Sequence, residues 1–119
     1  MKREDDFATR RKHLADLNDE QLKERFWSLT QKVVDPLLTL GYENTTPAIE
    51  RSVLLRMGFS SLEVAQIVAE CEERGLLGYG AGHAVYKLAK MKNITIREAG
   101  LALADSKHWQ EVEEAFKTI

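Results

Sequence analysis

Four of the seven glycines crowd into the stretch RGLLGYGAGH, at Gly75, Gly78, Gly80 and Gly82. Glycines let a backbone close on a phosphate, and a helix starting behind them aims amides at the anion. Charge adds to the case. Between Arg74 and Arg97 stand Arg74, Lys87, Lys90, Lys92 and Arg97 and no acidic residue, within a chain of formal net charge −2. His83, Tyr86 and Lys87 fall on the first turns of the helix expected to follow. The competing reading is that the glycines admit close helix packing or a partner's backbone. GYGAGH is not the dinucleotide fingerprint, which needs a preceding strand and a βαβ unit, and neither is legible here.

Other chemistry is thinly represented. His13, His83 and His108 are scattered, and none has a second histidine or a cysteine at ligand spacing. Cys71, the single cysteine, has no partner for a disulfide, a redox pair or a zinc site and reads as a packed, inert thiol. No H-E-x-x-H, C-x-x-C, G-x-S-x-G or Walker pattern occurs. Lys87 as an imine-forming lysine would lack the walls that bury and orient a pyridoxal aldehyde. The residues therefore support no enzyme acting alone, and no catalytic, cofactor-binding or metal-ligating residue is assigned.

The elements that must position these residues are helical. The chain has 119 residues, 44% apolar and 30% charged, with 17 Lys+Arg against 19 Asp+Glu. That suffices for one modest core. Helix start and stop signals recur with few strand signals, giving an all-α fold, a single small domain over residues 1–119 of about six or seven helices. The near-neutral charge argues against nucleic acid as a partner. The charged start MKREDDFATRRKH and the lack of any long apolar run argue against a signal peptide and a membrane span, so a soluble, cytoplasmic protein is expected.

An opening helix is expected near Asp5–Leu17, with residues 1–17 as a loosely packed arm. Asn18 with Gln21 caps a long helix expected to run to Leu40, stop at Gly41 and kink at Pro36. It carries Leu22, Phe26, Leu29 and Val33 on one face and Trp27, Val34 and Leu38 on another. It is thus either a central helix wrapped by the others or partly a partner surface. Thr46-Pro47 opens a third helix with Ile49, Val53, Leu54 and Met57 as its buried face, ended by Gly58. Ser60 with Glu63 forms a capping box for a helix burying Val64, Ile67, Val68 and Cys71. A helix from about Ala81 to Asn93 buries Val85, Leu88 and Ala89, and Thr95 with Glu98 caps the next. The last helix sets Trp109, Val112, Phe116 and Ile119 on one stripe, with Glu111, Glu113 and Glu114 toward water.

Two generic likenesses are weak. Met57-Gly58-Phe59 is similar to the Met-Gly-Phe loop of ubiquitin-associated domains, and the helix–glycine–helix pattern is similar to helix-turn-helix units. The helix after the turn, SLEVAQIVAECEER, carries four glutamates against one arginine and would repel phosphate. A longer likeness runs through the chain. RFW at Arg25–Trp27, VVDPLL at Val33–Leu38, NTTPAIERSVLLRMGFSSLE at Asn44–Glu63, RGLLGYGAGHAVYKLA at Arg74–Ala89 and ITIREAGLAL at Ile94–Leu103 resemble the small subunits of D-ornithine 4,5-aminomutases, in order and over nearly the whole length.

That resemblance implies an accessory subunit, inactive alone, of an adenosylcobalamin- and pyridoxal-phosphate-dependent isomerase. The enzyme moves the terminal amino group of D-ornithine to the neighbouring carbon, giving 2,4-diaminopentanoate. It implies a large catalytic subunit as partner, carrying both cofactors and the imine-forming lysine, in a heterotetramer of two small and two large chains. The cobalamin signature Asp-x-His-x-x-Gly is absent here, since no histidine has an aspartate two positions before it. The expected partner contacts are Trp27, Arg51 and Arg56, opposite the buried face of the third helix, and Tyr79, His83, Tyr86 and Lys87 around the glycines. The alternatives are the accessory part of a lysine 5,6-aminomutase and a free-standing helical adaptor.

Overall fold

The computed structural model describes residues 2–118. Among them the chain forms α1 (Phe7–Arg10), α2 (Asp19–Asn44), α3 (Pro47–Arg56), α4 (Ser61–Glu73), α5 (Ala81–Lys92), α6 (Ile96–Ala104) and α7 (Trp109–Lys117), with 3₁₀ turns at Arg11–His13 and Leu77–Tyr79 and no strand. The all-α expectation holds. No helix among the described residues is long and apolar enough to cross a membrane. The chain divides into two compact units, Met1–Leu38 and Thr39–Ile119, and the division falls inside α2.

The first unit holds the opening segment and most of α2. The helix expected near Asp5–Leu17 shrinks to α1 and the following 3₁₀ turn, neither of which buries a residue. So short a helix gains little from its own hydrogen bonds and needs packing to persist. Asn18 and Gln21 cap α2 as expected: Gln21 N–H donates to Asn18 Oδ1 (2.9 Å) and Asn18 N–H to Gln21 Oε1 (3.0 Å). The helix continues through Pro36 and buries no residue anywhere along its length. Phe26 is 60% exposed, Trp27 59% and Val33 65%. Within the first unit, both apolar stripes of α2 are open.

The second unit begins within the last turns of α2, which pass Gly41 and end at Asn44, one turn beyond the expected stop. A mid-helix glycine is disfavoured by only about 1 kcal/mol against alanine. Here Asn44 Nδ2 donates to Leu40 O (2.9 Å) and Thr45 N–H to Gly41 O (3.0 Å), so the extra turn keeps its carbonyls satisfied. Around α5 pack α3, α4, α6 and α7. Their shared core is Leu54, Phe59, Val64, Ile67, Val68, Cys71, Leu76, Ala81, Ala84, Val85, Leu88, Ala89, Ala99, Leu103, Trp109, Val112 and Phe116. The expected stripes of α4, α5 and α7 are among these residues; Ile119 lies outside the described residues. Trp109 keeps its polar edge satisfied by donating Nε1–H to Leu103 O (3.0 Å).

The third helix departs from expectation. Its inward residues are Glu50 and Leu54, with Met57 packed against the core, while Ile49 is 51% and Val53 39% exposed. Both expected capping boxes, Ser60 with Glu63 and Thr95 with Glu98, form. Each such cap stabilises a helix by about 1 kcal/mol. Cys71 is fully buried, and burial, aided by the Glu50 and Glu70 carboxylates, pushes its thiol up to about 12. It is protonated and inert at neutral pH.

Ion pairs lace the helices at their rims. Arg97 grips Glu63 through two bonds of 2.8 and 2.9 Å, Arg74 joins Glu70 (3.0 Å) and Glu113 (3.4 Å), and Glu111 takes both Lys92 (2.6 Å) and His108 (2.8 Å). Glu111 and Glu113, expected to face water, are thus half-buried and paired; Glu114 is exposed. The hydrogen bond from Arg97 holds the Glu63 carboxyl below its ordinary value, and that from Lys92 does the same for Glu111. A depressed carboxylate stabilises the fold above its unfolded value, 4.5 for these two groups, and that contribution disappears as pH falls through the lower folded value. The melting temperature should therefore fall on acidification below about pH 4.5, and Glu63→Gln should show a shallower acid loss than the wild type; parallel curves would contradict the pairing.

A Cβ added to Gly100 would lie 2.1 Å from Phe59 Cε1 and Cζ, in a ring held in the core beneath Arg97. Gly100→Ala should destabilise the fold by about 2–3 kcal/mol through overpacking, read as a thermal shift on the order of 10 °C. A melt within a degree of wild type would show that Phe59 has room to move.

Candidate partner interface

The glycine segment begins where α4 stops. Gly75 adopts φ +70°, a left-handed position, and Leu76 N–H donates back to Cys71 O (2.8 Å), which turns the chain and buries Leu76. The 3₁₀ turn at Leu77–Tyr79 follows, and Gly80, at φ +101°, redirects the backbone into α5. Gly78 lies against Tyr42, where a Cβ would come within 2.9 Å of the ring, and a Cβ on Gly82 would come within 3.1 Å of Val53 and Met57. These glycines serve close packing, the second of the two readings open from sequence.

An anion does sit at the start of α5, and it is internal. Glu50, 6% exposed, accepts from Ala81 N–H through Oε2 (2.7 Å) and from the Thr45 hydroxyl through Oε1 (2.5 Å). The phosphate-cradle reading is corrected accordingly: the first amide of α5 is taken, and a carboxylate beside Gly80 repels a second anion. Glu50 was missed from sequence because a charged residue reads as solvated. Its signal was the spacing 50, 54, 57, a helical stripe shared with Leu54 and Met57.

Three of the expected contact residues meet around one ring. Tyr79 stacks on Phe116 (centroids 4.6 Å apart, 8° between planes), His83 meets the same ring edge-on at 5.1 Å, and Lys87 Nζ lies 4.9 Å from its centre. Tyr42 abuts Tyr79 at 5.3 Å, and His83 Nδ1–H donates to Tyr79 O (3.3 Å). Tyr79 and His83 remain exposed and Lys87 half-exposed. Tyr86, half-exposed, stands apart from this ring cluster, beneath Lys90 (5.6 Å).

The other expected residues are not gathered with them. Trp27 belongs to the first unit, where Phe26 packs edge-on against it at 5.2 Å. Arg51 and Arg56 are exposed on α3. With Glu50 and Leu54 inward, Arg56 lies across the helix from the buried stripe but Arg51 flanks it, which corrects the expectation that both lie opposite. No group of three or more His, Cys, Asp and Glu side chains among the described residues is placed to hold a metal ion. The Met57-Gly58-Phe59 turn keeps Phe59 inside, 4% exposed, unlike an aromatic offered to a ligand.

Glu50→Ala would leave the buried Ala81 N–H and Thr45 hydroxyl without their acceptor. Loss of a buried charged acceptor is expected to lower stability by about 2–3 kcal/mol, visible in a denaturant melt, and to loosen amide-exchange protection at the start of α5. Unchanged protection there would mean that Glu50 is not what holds the segment.

Residues 2–116 match the family model described as D-ornithine 4,5-aminomutase alpha-subunit. A curated relative, D-ornithine 4,5-aminomutase subunit alpha of Acetoanaerobium sticklandii, is 63% identical over 117 residues, spanning 98% of this chain and 97% of that protein. This sets aside the free-standing adaptor, and the chain belongs to the D-ornithine 4,5-aminomutase alpha-subunit family.

Proposed function

We propose that this chain is the accessory subunit of a cytoplasmic D-ornithine 4,5-aminomutase, inactive alone, and that it works by supporting a large catalytic subunit in a heterotetramer of two small and two large chains. The observation that carries the reading is α2, a 26-residue helix that buries none of its apolar residues. A helix apolar on two sides and open on both is stable in water only at a cost in exposed hydrocarbon, and a partner removes that cost. Trp27, beside Phe26, is the anchor of this surface; Arg51, Arg56, Tyr79, His83, Tyr86 and Lys87 are the further contacts.

In this proposal adenosylcobalamin and pyridoxal phosphate belong to the large subunit. Supporting this, the residues here do not fit either group. The helix start a pyridoxal phosphate would use is held by the Glu50 carboxylate, and Lys87 lies over Phe116 in an open setting. No histidine here has an aspartate two positions before it, as the cobalamin signature Asp-x-His-x-x-Gly requires. In this reading the chain contributes no side chain to the radical steps and offers contacts instead, with residues 1–17 as an arm.

Mixing the purified chain with the large subunit should yield a complex of two and two that turns over D-ornithine, while the chain alone turns over nothing. Trp27→Ala should weaken assembly by about 2 kcal/mol or more, the loss typical of a buried aromatic anchor, and leave the melting temperature of the isolated chain unchanged. Equal loss of fold and assembly would remove Trp27 from the interface, and failure of the wild-type chains to associate would overturn the subunit reading.

A further inference from the structure

Helix α5 has two sharply different sides. Inward, Ala81, Ala84, Val85 and Leu88 are fully buried. Outward, His83, Tyr86, Lys87 and Lys90 recur at i, i+3, i+4 and i+7, a single stripe of cations and aromatic rings. The surrounding cations are neutralised within the chain: Arg74 by Glu70 and Glu113, Lys92 by Glu111, and Arg97 by Glu63. Lys87 and Lys90 are different. Their ammonium groups lie over the rings of Phe116 and Tyr86, and among the described residues neither has a carboxylate partner. Beside Tyr86 and Lys90 opens a hollow of about 300 Å³, lined also by Ala89, Asn93, Ile94, Thr95 and Ile96.

We propose that this α5 stripe docks an acidic segment of the large catalytic subunit, its carboxylates received by Lys87 and Lys90 and an adjoining apolar side chain seated in the hollow. The inference rests on the subunit reading above and adds the chemistry of the partner's surface. Ring-supported ammonium groups lacking an internal counter-ion attract discrete carboxylates, and the aliphatic side chains of Ile94 and Ile96 within the mixed lining beside them suit a peptide. An extended polyanion such as nucleic acid or an anionic membrane suits it less, because the net charge of the chain is −2 and the carboxylates of α7 border α5 where Glu111 holds Lys92.

The test measures assembly of the full small and large subunits at low and high salt, with Lys87→Glu/Lys90→Glu, with Lys90→Glu alone, and with Trp27→Ala as the comparison. Lys90 rests only on an exposed ring, so its reversal should leave the melt unchanged. The double reversal should weaken assembly roughly tenfold at low salt and flatten its salt dependence, with Lys90→Glu intermediate. If both reversals assemble like wild type with the same salt slope while Trp27→Ala weakens binding, the inference falls and the subunit reading stands. If the wild-type subunits do not associate, both fall. Unchanged assembly together with lost binding to duplex DNA or to phosphatidylserine vesicles would overturn it in favour of a polyanion site.

Discussion

The carboxylate of Glu50 holds the second unit to a definite geometry. It sits almost wholly out of water, where an unpaired charge would be costly, and it is tolerated because the Thr45 hydroxyl and the Ala81 amide both point at it. One side chain thereby links the end of α2, the first turn of α3 and the first amide of α5. Since α5 is the helix that α3, α4, α6 and α7 share, fixing its start fixes the register of the core. Gly80 has no side chain with which to cap the helix, and Glu50 meets the Ala81 amide from within.

The same anchoring explains the surface. With the start of α5 held and Gly82 pressed against Val53 and Met57, Tyr79 is brought flat onto Phe116, and His83 and Lys87 follow one and two turns later on the same side. The cluster is thus a product of core geometry, with exposed edges held by buried contacts. In the first unit the arrangement is reversed. There α2 is ordered by its own cap and backbone, and its apolar side chains face solvent. One unit thus holds its exposed aromatic cluster through a buried core, and the other leaves its apolar side chains uncovered.

What could be read from residues alone was mainly what is local. The capping boxes at Asn18, Ser60 and Thr95 are settled within three residues, and the stripe of Val64, Ile67, Val68 and Cys71 within seven, so both were legible before any coordinates. The extension of α2 through Gly41 was not, since a glycine there reads as a stop and the contact of Tyr42 in that last turn is with Gly78, far along the chain. Nor was the buried face of α3: choosing Ile49 and Val53 over Glu50 is the correct bet when only polarity is known, and it fails because Ala81, 31 residues away, supplies the compensating donor. For the candidate site, the segment was visible as a cluster of glycines and cations. The presence of an internal anion was not. The family likeness was carried by long ordered strings, which hold far more information than any single tripeptide.

Cys71 has a practical consequence for studying such a protein. As the sole cysteine, fully buried and held protonated, it leaves the described surface without a reactive thiol. A cysteine introduced at any exposed position of α2 or α5 would then be the one group a maleimide or nitroxide reagent reaches in the folded chain. The native sequence already has the background that site-directed labelling ordinarily requires mutagenesis to create, so distances from each helix to a bound partner are measurable without disturbing the core.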